Sequence, residues 1–266
     1  MIRDITLGQY YHADSVIHRL DPRTKLVGTF FFIIALFLVK NPLGYAVAAI
    51  YLALVIKLST VPLRFMLRGM KAIVFLLLLT VGFNLFLTPG EPIWEWWKLS
   101  ISAEGVRIAY TMAIRLSFLV IGSSIMTLTT TPNNLTDGLE KLLSPLKKIR
   151  VPVHEIAMMM SIALRFIPIL LEETDKIMKA QMARGADFES GNIIKRTKAL
   201  VPILVPLFIS AFRRANDLAM AMEARCYKGG DGRTKMKPLK YAARDRLAYL
   251  AIFAMLAACI IVGRMI

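Results

Sequence analysis

Seven apolar runs divide this chain: Leu26–Val39, Leu43–Ile56, Lys71–Leu87, Val106–Leu128, Ile156–Leu171, Leu200–Phe212 and Leu247–Val262. A run of this kind in hydrocarbon must satisfy its backbone N–H and C=O groups within itself, which leaves helix as its conformation. The chain is therefore read as an all-α membrane protein. The first two runs fall short of the roughly 20 residues that cross a bilayer. Lys25, Lys40 and Lys57 stand at their ends and can snorkel to the interface, and Lys40-Asn41-Pro42 is a turn signal. The pair reads as two short spans joined by a tight turn.

Charge decides which runs cross. With 56% hydrophobic residues, a mean hydropathy of +0.57 and a net charge of +16, the basic residues follow the positive-inside bias of membrane loops. That explanation removes the case for nucleic-acid binding. Ile156–Leu171 is bracketed by Lys147, Lys148 and Arg150 before it and Lys176 and Lys179 after it. Leu200–Phe212 is bracketed by Lys195, Arg196 and Lys198, then by Arg213 and Arg214. If either run crossed, one basic cluster would lie on the wrong side. Arg165, Pro168, Pro202 and Pro206 inside these runs weigh the same way, and the prolines are expected to break or bend the helices into hinges.

The expectation is five transmembrane helices plus a cytoplasmic coupling domain of long oblique helices. Residues 1–130 hold the N-terminal segment and four spans, 131–246 the cytoplasmic region, and 247–266 the last span. The N-terminus carries Arg3, Asp4, Gln9 and His12, is not a cleavable signal peptide, and is placed inside. Lys57, Arg64, Arg68 and Lys71 then fall inside. Pro89, Glu91, Pro92, Glu95, Lys98 and Glu104 fall outside, with Trp94, Trp96 and Trp97 as an interfacial belt.

Catalytic chemistry is missing from the pattern. The cluster Gly229-Gly230-Asp231-Gly232-Arg233-Thr234 lacks the lysine and the preceding strand of a phosphate-binding loop and reads as a mobile turn. His12, His18 and His154 have no metal-ligand spacing, and Cys226 and Cys259 sit in unrelated contexts, so no metal, cofactor or disulfide is expected. Ser123-Ser124 is read as helix packing. No paired carboxylates lie in the spans, which argues against a proton-driven carrier. Any energy for transport must come from elsewhere. Arg115 is the one costly charge inside a span; it either holds the fourth span to its neighbours or to the oblique helices, or snorkels to an interface.

Two stretches of the basic region end alike, Met182-Ala183-Arg184-Gly185 and Met222-Glu223-Ala224-Arg225-Cys226. Each closes a long amphipathic, Met-rich helical pattern with one forked cation between small residues. A guanidinium on so bare a tip can enter a groove and offer five fixed donors. The same residues also suit an ordinary helix end, with Gly185 as cap and the arginines complementing the dipoles. Met158, Met159, Met160, Met178, Met182, Met220 and Met222 concentrate here, and flexible methionine suits either a repacking docking surface or plain core filling.

These residues carry a resemblance. Leu7-Gly8-Gln9-Tyr10-Tyr11, Asp14-Ser15 and Ile17–Lys25 resemble the transmembrane T component of energy-coupling factor (ECF) transporters. So do Leu128–Pro132 with Leu139-Glu140 and Leu142–Leu146, Ala163–Pro168, and the two tips Ala183-Arg184-Gly185 and Ala224-Arg225-Cys226. Cys226 departs from the glycine or serine more usual there but is small enough to keep the tip bare. The resemblance implies a non-catalytic, multi-pass subunit of a prokaryotic cell membrane. Two homologous ABC-type ATPases would each take one arginine tip, and a small membrane S component would bring a vitamin or metal ion to the methionine-bearing faces. The alternative, a substrate-translocating permease of a conventional ABC importer, would need polar residues along its spans, and few are present. A membrane-embedded enzyme would need acid, base or metal sets that are missing.

Overall fold

The computed structural model describes residues 10–39, 41–88, 92–96, 99–186, 188, 193–230 and 234–264. Lys40, Glu91, Trp97, Lys98 and residues 231–233 lie outside the described set, as do the side chains of Trp94 and Trp96. The chain is a multi-pass, helical membrane protein. Its helices are α1 (Pro22–Leu38), α2 (Pro42–Ser59), α3 (Leu63–Leu87), α4 (Ala103–Thr129), α5 (Pro132–Leu143), α6 (Val153–Ala183), α7 (Ile193–Ala224) and α8 (Ala243–Arg264). The loop between α3 and α4 adds a two-stranded antiparallel hairpin, β1 (Pro92–Trp96) with β2 (Leu99–Ser102), that the sequence reading did not foresee.

Local chemistry sets the helix starts. Asp21 accepts from Arg23 N ahead of Pro22, which needs no N–H at the first position. Ser102 Oγ accepts from Gly105 N at 2.9 Å to open α4. Asp245, in the first turn of α8, reaches back to Ala242 N at 2.8 Å, the return half of a capping box.

By length and apolar content alone, five described helices could cross a membrane: α2, α4, α6, α7 and α8. α1 adds a shorter apolar helix of 17 residues, and α3, 25 residues long, carries the apolar stretch Ile73–Phe86. Contacts divide the helices otherwise. One compact unit contains Leu143–Pro238, with α6 and α7; the other contains Thr6–Leu142 and Leu239–Ile266, with α1–α5 and α8.

The bundle unit has the larger core, built from Phe32, Leu36, Tyr45, Leu52, Met66, Ile125 and Met255. Its helices approach closely where side chains are absent: a Cβ on Gly122 would meet Phe32 at 2.6 Å, and one on Gly28 would meet Ile252 at 2.9 Å. Elsewhere large apolar side chains such as Ile50, Phe75 and Leu78 face outward, as a lipid-facing surface does. α5 belongs to this unit, with Gly138 against Pro22.

One expectation is corrected. Lys25 does not snorkel: it is buried, its Nζ donating to Thr129 O at 2.7 Å and His18 O at 3.2 Å. The last carbonyls of α4 have no partner within their helix, and a buried ammonium supplies one. Tyr11 N closes Leu128 O in the same way at 2.9 Å. Buried Asp245 also accepts from Asp21 N at 2.8 Å, joining the starts of α1 and α8. Burial alone would push the Asp21 carboxyl up, but hydrogen bonds from Arg23 bring it below its ordinary value. Burial lowers the His18 imidazole, partly offset by its bond to Tyr11 O. The hydrogen bond from Arg19 holds Asp14 low.

Candidate functional site: two matching arginine tips

α6 and α7 end in the same bonded ring. At the end of α6, Arg184 N and Ala186 N both donate to Gln181 O at 3.0 Å, and Gly185 N donates to Met182 O at 3.0 Å. At the end of α7, Arg225 N and Tyr227 N donate to Met222 O at 3.2 and 3.0 Å, and Cys226 N donates to Glu223 O at 2.8 Å. Both are the six-to-one and five-to-two pattern of a Schellman cap, which requires a left-handed residue one place after the arginine. Gly185 supplies it at φ +88° and Cys226 at φ +54°.

This cap turns the chain away directly after each arginine. Ala183, Arg184, Gly185 and Ala224, Arg225, Cys226 are all exposed. Nothing lies within 4 Å of a Cβ placed on Gly185. Among the described residues neither Arg184 nor Arg225 has an ion-pair or side-chain hydrogen-bond partner. The dipole-complement reading and the plug reading both begin here.

α6 and α7 run antiparallel. Arg214 NH2 meets Glu173 Oε2 at 3.0 Å, and Ser210 Oγ donates to Glu173 Oε1 at 2.5 Å. Gln181 Nε2, nearer the tip of α6, donates to Pro202 O at 3.5 Å, nearer the start of α7. That carbonyl is free because Pro206, four places on, has no N–H. The two tips therefore sit at opposite ends of the pair. Glu173 lies 11 residues before Arg184, and Arg214 lies 11 before Arg225. At ~1.5 Å per residue each tip stands about 16 Å along its helix from that ion pair.

The methionines do not form one surface. Met158, Met159 and Met160 are consecutive, and neighbouring helix positions do not share a face. Met159, Met160, Met182 and Met220 are exposed, while Met158, Met178 and Met222 are half-buried. Met222 lines a groove of about 290 Å³ between the helices with Ile162, Phe166 and Leu170. The larger uncovered apolar face, which the methionine pattern missed, is on α7: Leu204, Val205, Phe208, Ile209 and Phe212 are all at least 50% exposed. Its helical spacing in Leu200–Phe212 was the available signal.

The prolines do not break the helices: α6 runs on through Pro168, and α7 through Pro202 and Pro206. Arg165 is exposed on α6. Arg115 lies in the bundle unit, where Nε donates to Tyr45 OH at 3.1 Å and NH2 to Val39 O at 3.3 Å. It ties α4 to α2 and to the last carbonyls of α1. Among the described residues no group of three or more His, Cys, Asp or Glu is placed to hold a metal.

Comparison with known proteins extends the resemblance to the whole chain. The family described as CbiQ, cobalt transport protein, matches residues 13–236. The energy-coupling factor transporter transmembrane protein EcfT of Ruminiclostridium cellulolyticum is 55% identical over 93% of this chain and 92% of its own length. That of Clostridium kluyveri is 55% identical over 98% and 96%, and that of Bacillus subtilis 45% identical over 97% of both. With its helical membrane architecture and both tips inside the matched length, the chain belongs to the CbiQ/EcfT family of energy-coupling factor transporter transmembrane proteins.

Proposed function

We propose that this chain transmits the motion of two ABC-type ATPase subunits through its arginine tips to a separate substrate-binding membrane protein, for uptake of a vitamin or other micronutrient. The observation that carries the reading is the duplicated cap: the same hydrogen-bonded ring, the same small neighbours and, among the described residues, an unpartnered guanidinium at each end of an antiparallel helix pair. Two equivalent plugs at opposite ends suit two homologous sockets. Arg184 and Arg225 enter those sockets, and Ala183, Gly185, Ala224 and Cys226 admit the socket walls. The substrate-binding partner rests on the exposed apolar side chains of α6 and α7, with Met159, Met160, Met182 and Met220 at its edge. In this reading α6 and α7 lie on the cytoplasmic side, and the N-terminus is cytoplasmic.

Truncating one member of a desolvated charged pair costs about 2–5 kcal/mol. Replacing both Arg184 and Arg225 by Ala should therefore abolish capture of the ATPase pair in pull-downs, with membrane insertion intact. Glu172→Gln, exposed on α6 about midway between the two tips, should assemble normally. Arg→Lys at each tip should give a partial loss, because the charge remains and the planar fork does not. Normal assembly and uptake in the double Ala variant would refute the plugs.

A further inference from the structure

Within the bundle unit, α1, α2, α4 and α8 enclose a groove of about 270 Å³ at the end where Lys25 meets Thr129. Its walls are apolar, and Leu54, Leu58 and Leu247 on its rim are 40–68% exposed, so it opens onto the surface that faces lipid. Two polar features at the same groove have no hydrogen-bond or ion-pair partner among the described residues. Arg244 lines it, is exposed, and makes no hydrogen bond or ion pair among the described residues. Thr24 also lines it, is 1% exposed, and its Oγ1 is buried with no hydrogen-bond partner.

The neighbouring charges are already engaged. Asp14 pairs with Arg19 and Asp21 with Arg23; Asp245 accepts two backbone N–H groups; Lys25 is held by two carbonyls. Arg244 feels the exposed Asp14 carboxylate only at a distance, because that carboxylate is bonded to Arg19, so beside the apolar slot it has no direct ion pair among the described residues. A buried hydroxyl without a partner also calls for an explanation.

We propose that this groove is a binding site for an anionic phospholipid. One acyl chain lies between α2 and α8, the phosphate pairs with Arg244, and the Thr24 hydroxyl donates to a phosphate or ester oxygen. Apolar walls alone would accept any lipid tail; a guanidinium with no direct ion pair selects the anionic headgroup. The site is independent of the arginine tips.

The test is native mass spectrometry of the full chain purified in mild detergent and exchanged with phosphatidylglycerol or phosphatidylcholine. One phosphatidylglycerol per chain should be retained in preference to phosphatidylcholine. Arg244→Gln should lower that retention about five-fold, the effect of one surface cation near a lipid headgroup. Ala251→Phe, which fills the slot from an exposed position, should remove the bound lipid. Arg246→Gln, exposed but not lining the groove, should match the unmodified chain. If Ala251→Phe does not elute as a single species, the Arg244→Gln comparison decides alone. Equal retention of both lipids, or an unchanged Arg244→Gln, overturns the proposal. So does protection of Arg244 from phenylglyoxal by inorganic phosphate as effective as by lipid, or a photo-crosslink from Leu54 that captures a protein helix instead of lipid.

Discussion

Cys226 does the work of Gly185 with a side chain that does not suit it. An L-residue in the left-handed region carries a steric cost of about 1 kcal/mol that glycine avoids. Cys226→Gly should therefore stabilise the end of α7 by about 1 kcal/mol, and Gly185→Ala should destabilise the end of α6 by a similar amount. Hydrogen exchange of the amides of residues 225–227 and 184–186 reads both changes directly. Slower exchange for Cys226→Gly and faster exchange for Gly185→Ala are expected; no change in either would mean that the caps do not depend on the left-handed residue. The thiol of Cys226 is exposed, so this substitution also removes a site of oxidation from one tip.

At the scale of the helices, the contact among Glu173, Ser210 and Arg214 ties α6 to α7 at an equal chain distance from both tips. The pair is partly exposed, so its contribution to stability is below about 1 kcal/mol. Its geometric consequence is larger, because a helix passes rotation at the tie to a tip about 16 Å away. Glu173→Arg or Arg214→Glu alone sets like charges against each other and should broaden the distance distribution between spin labels at Lys179 and Met220, with uptake reduced. Both substitutions together restore opposite charges and should narrow the distribution and recover most of the uptake. Single variants indistinguishable from the starting protein would show that the ion pair positions nothing.

For the whole molecule, the membrane topology turns on α6 and α7, which composition would send through the bilayer and charge would keep out of it. The basic brackets around both helices are the deciding physical term, because a misplaced Lys or Arg cluster opposes the positive-inside bias. A single cysteine at Ser190, between α6 and α7 and outside the described residues, should resist impermeant thiol reagents in intact cells when Cys226 and Cys259 are removed. One at Ser100, in β2, should react. Labelling of position 190 from outside would establish that α6 crosses.

The sequence by itself determined what rests on bonds spanning a few residues. Asp21-Pro22, Ser102 and the Ala-Arg-small tips specify their helix ends through caps closed within six residues, so these features, and with them the candidate tips, are legible in the chain. The apolar runs likewise specify helices and a membrane, because hydrocarbon leaves the backbone no other partner. Tertiary structure alone decided which long-range groups meet. Lys25 has the sequence context of a snorkelling lysine, yet the C-terminal carbonyls of α4, 104 residues on, draw it inside. Asp245 reaches Asp21 across 224 residues, and Arg115 finds Tyr45 and Val39 across 70 and 76. The antiparallel pairing of α6 with α7, which puts the two tips at opposite ends, brings Glu173 to face Arg214. Charge pairing and burial follow from which helix faces touch, and no periodicity within one helix contains that information.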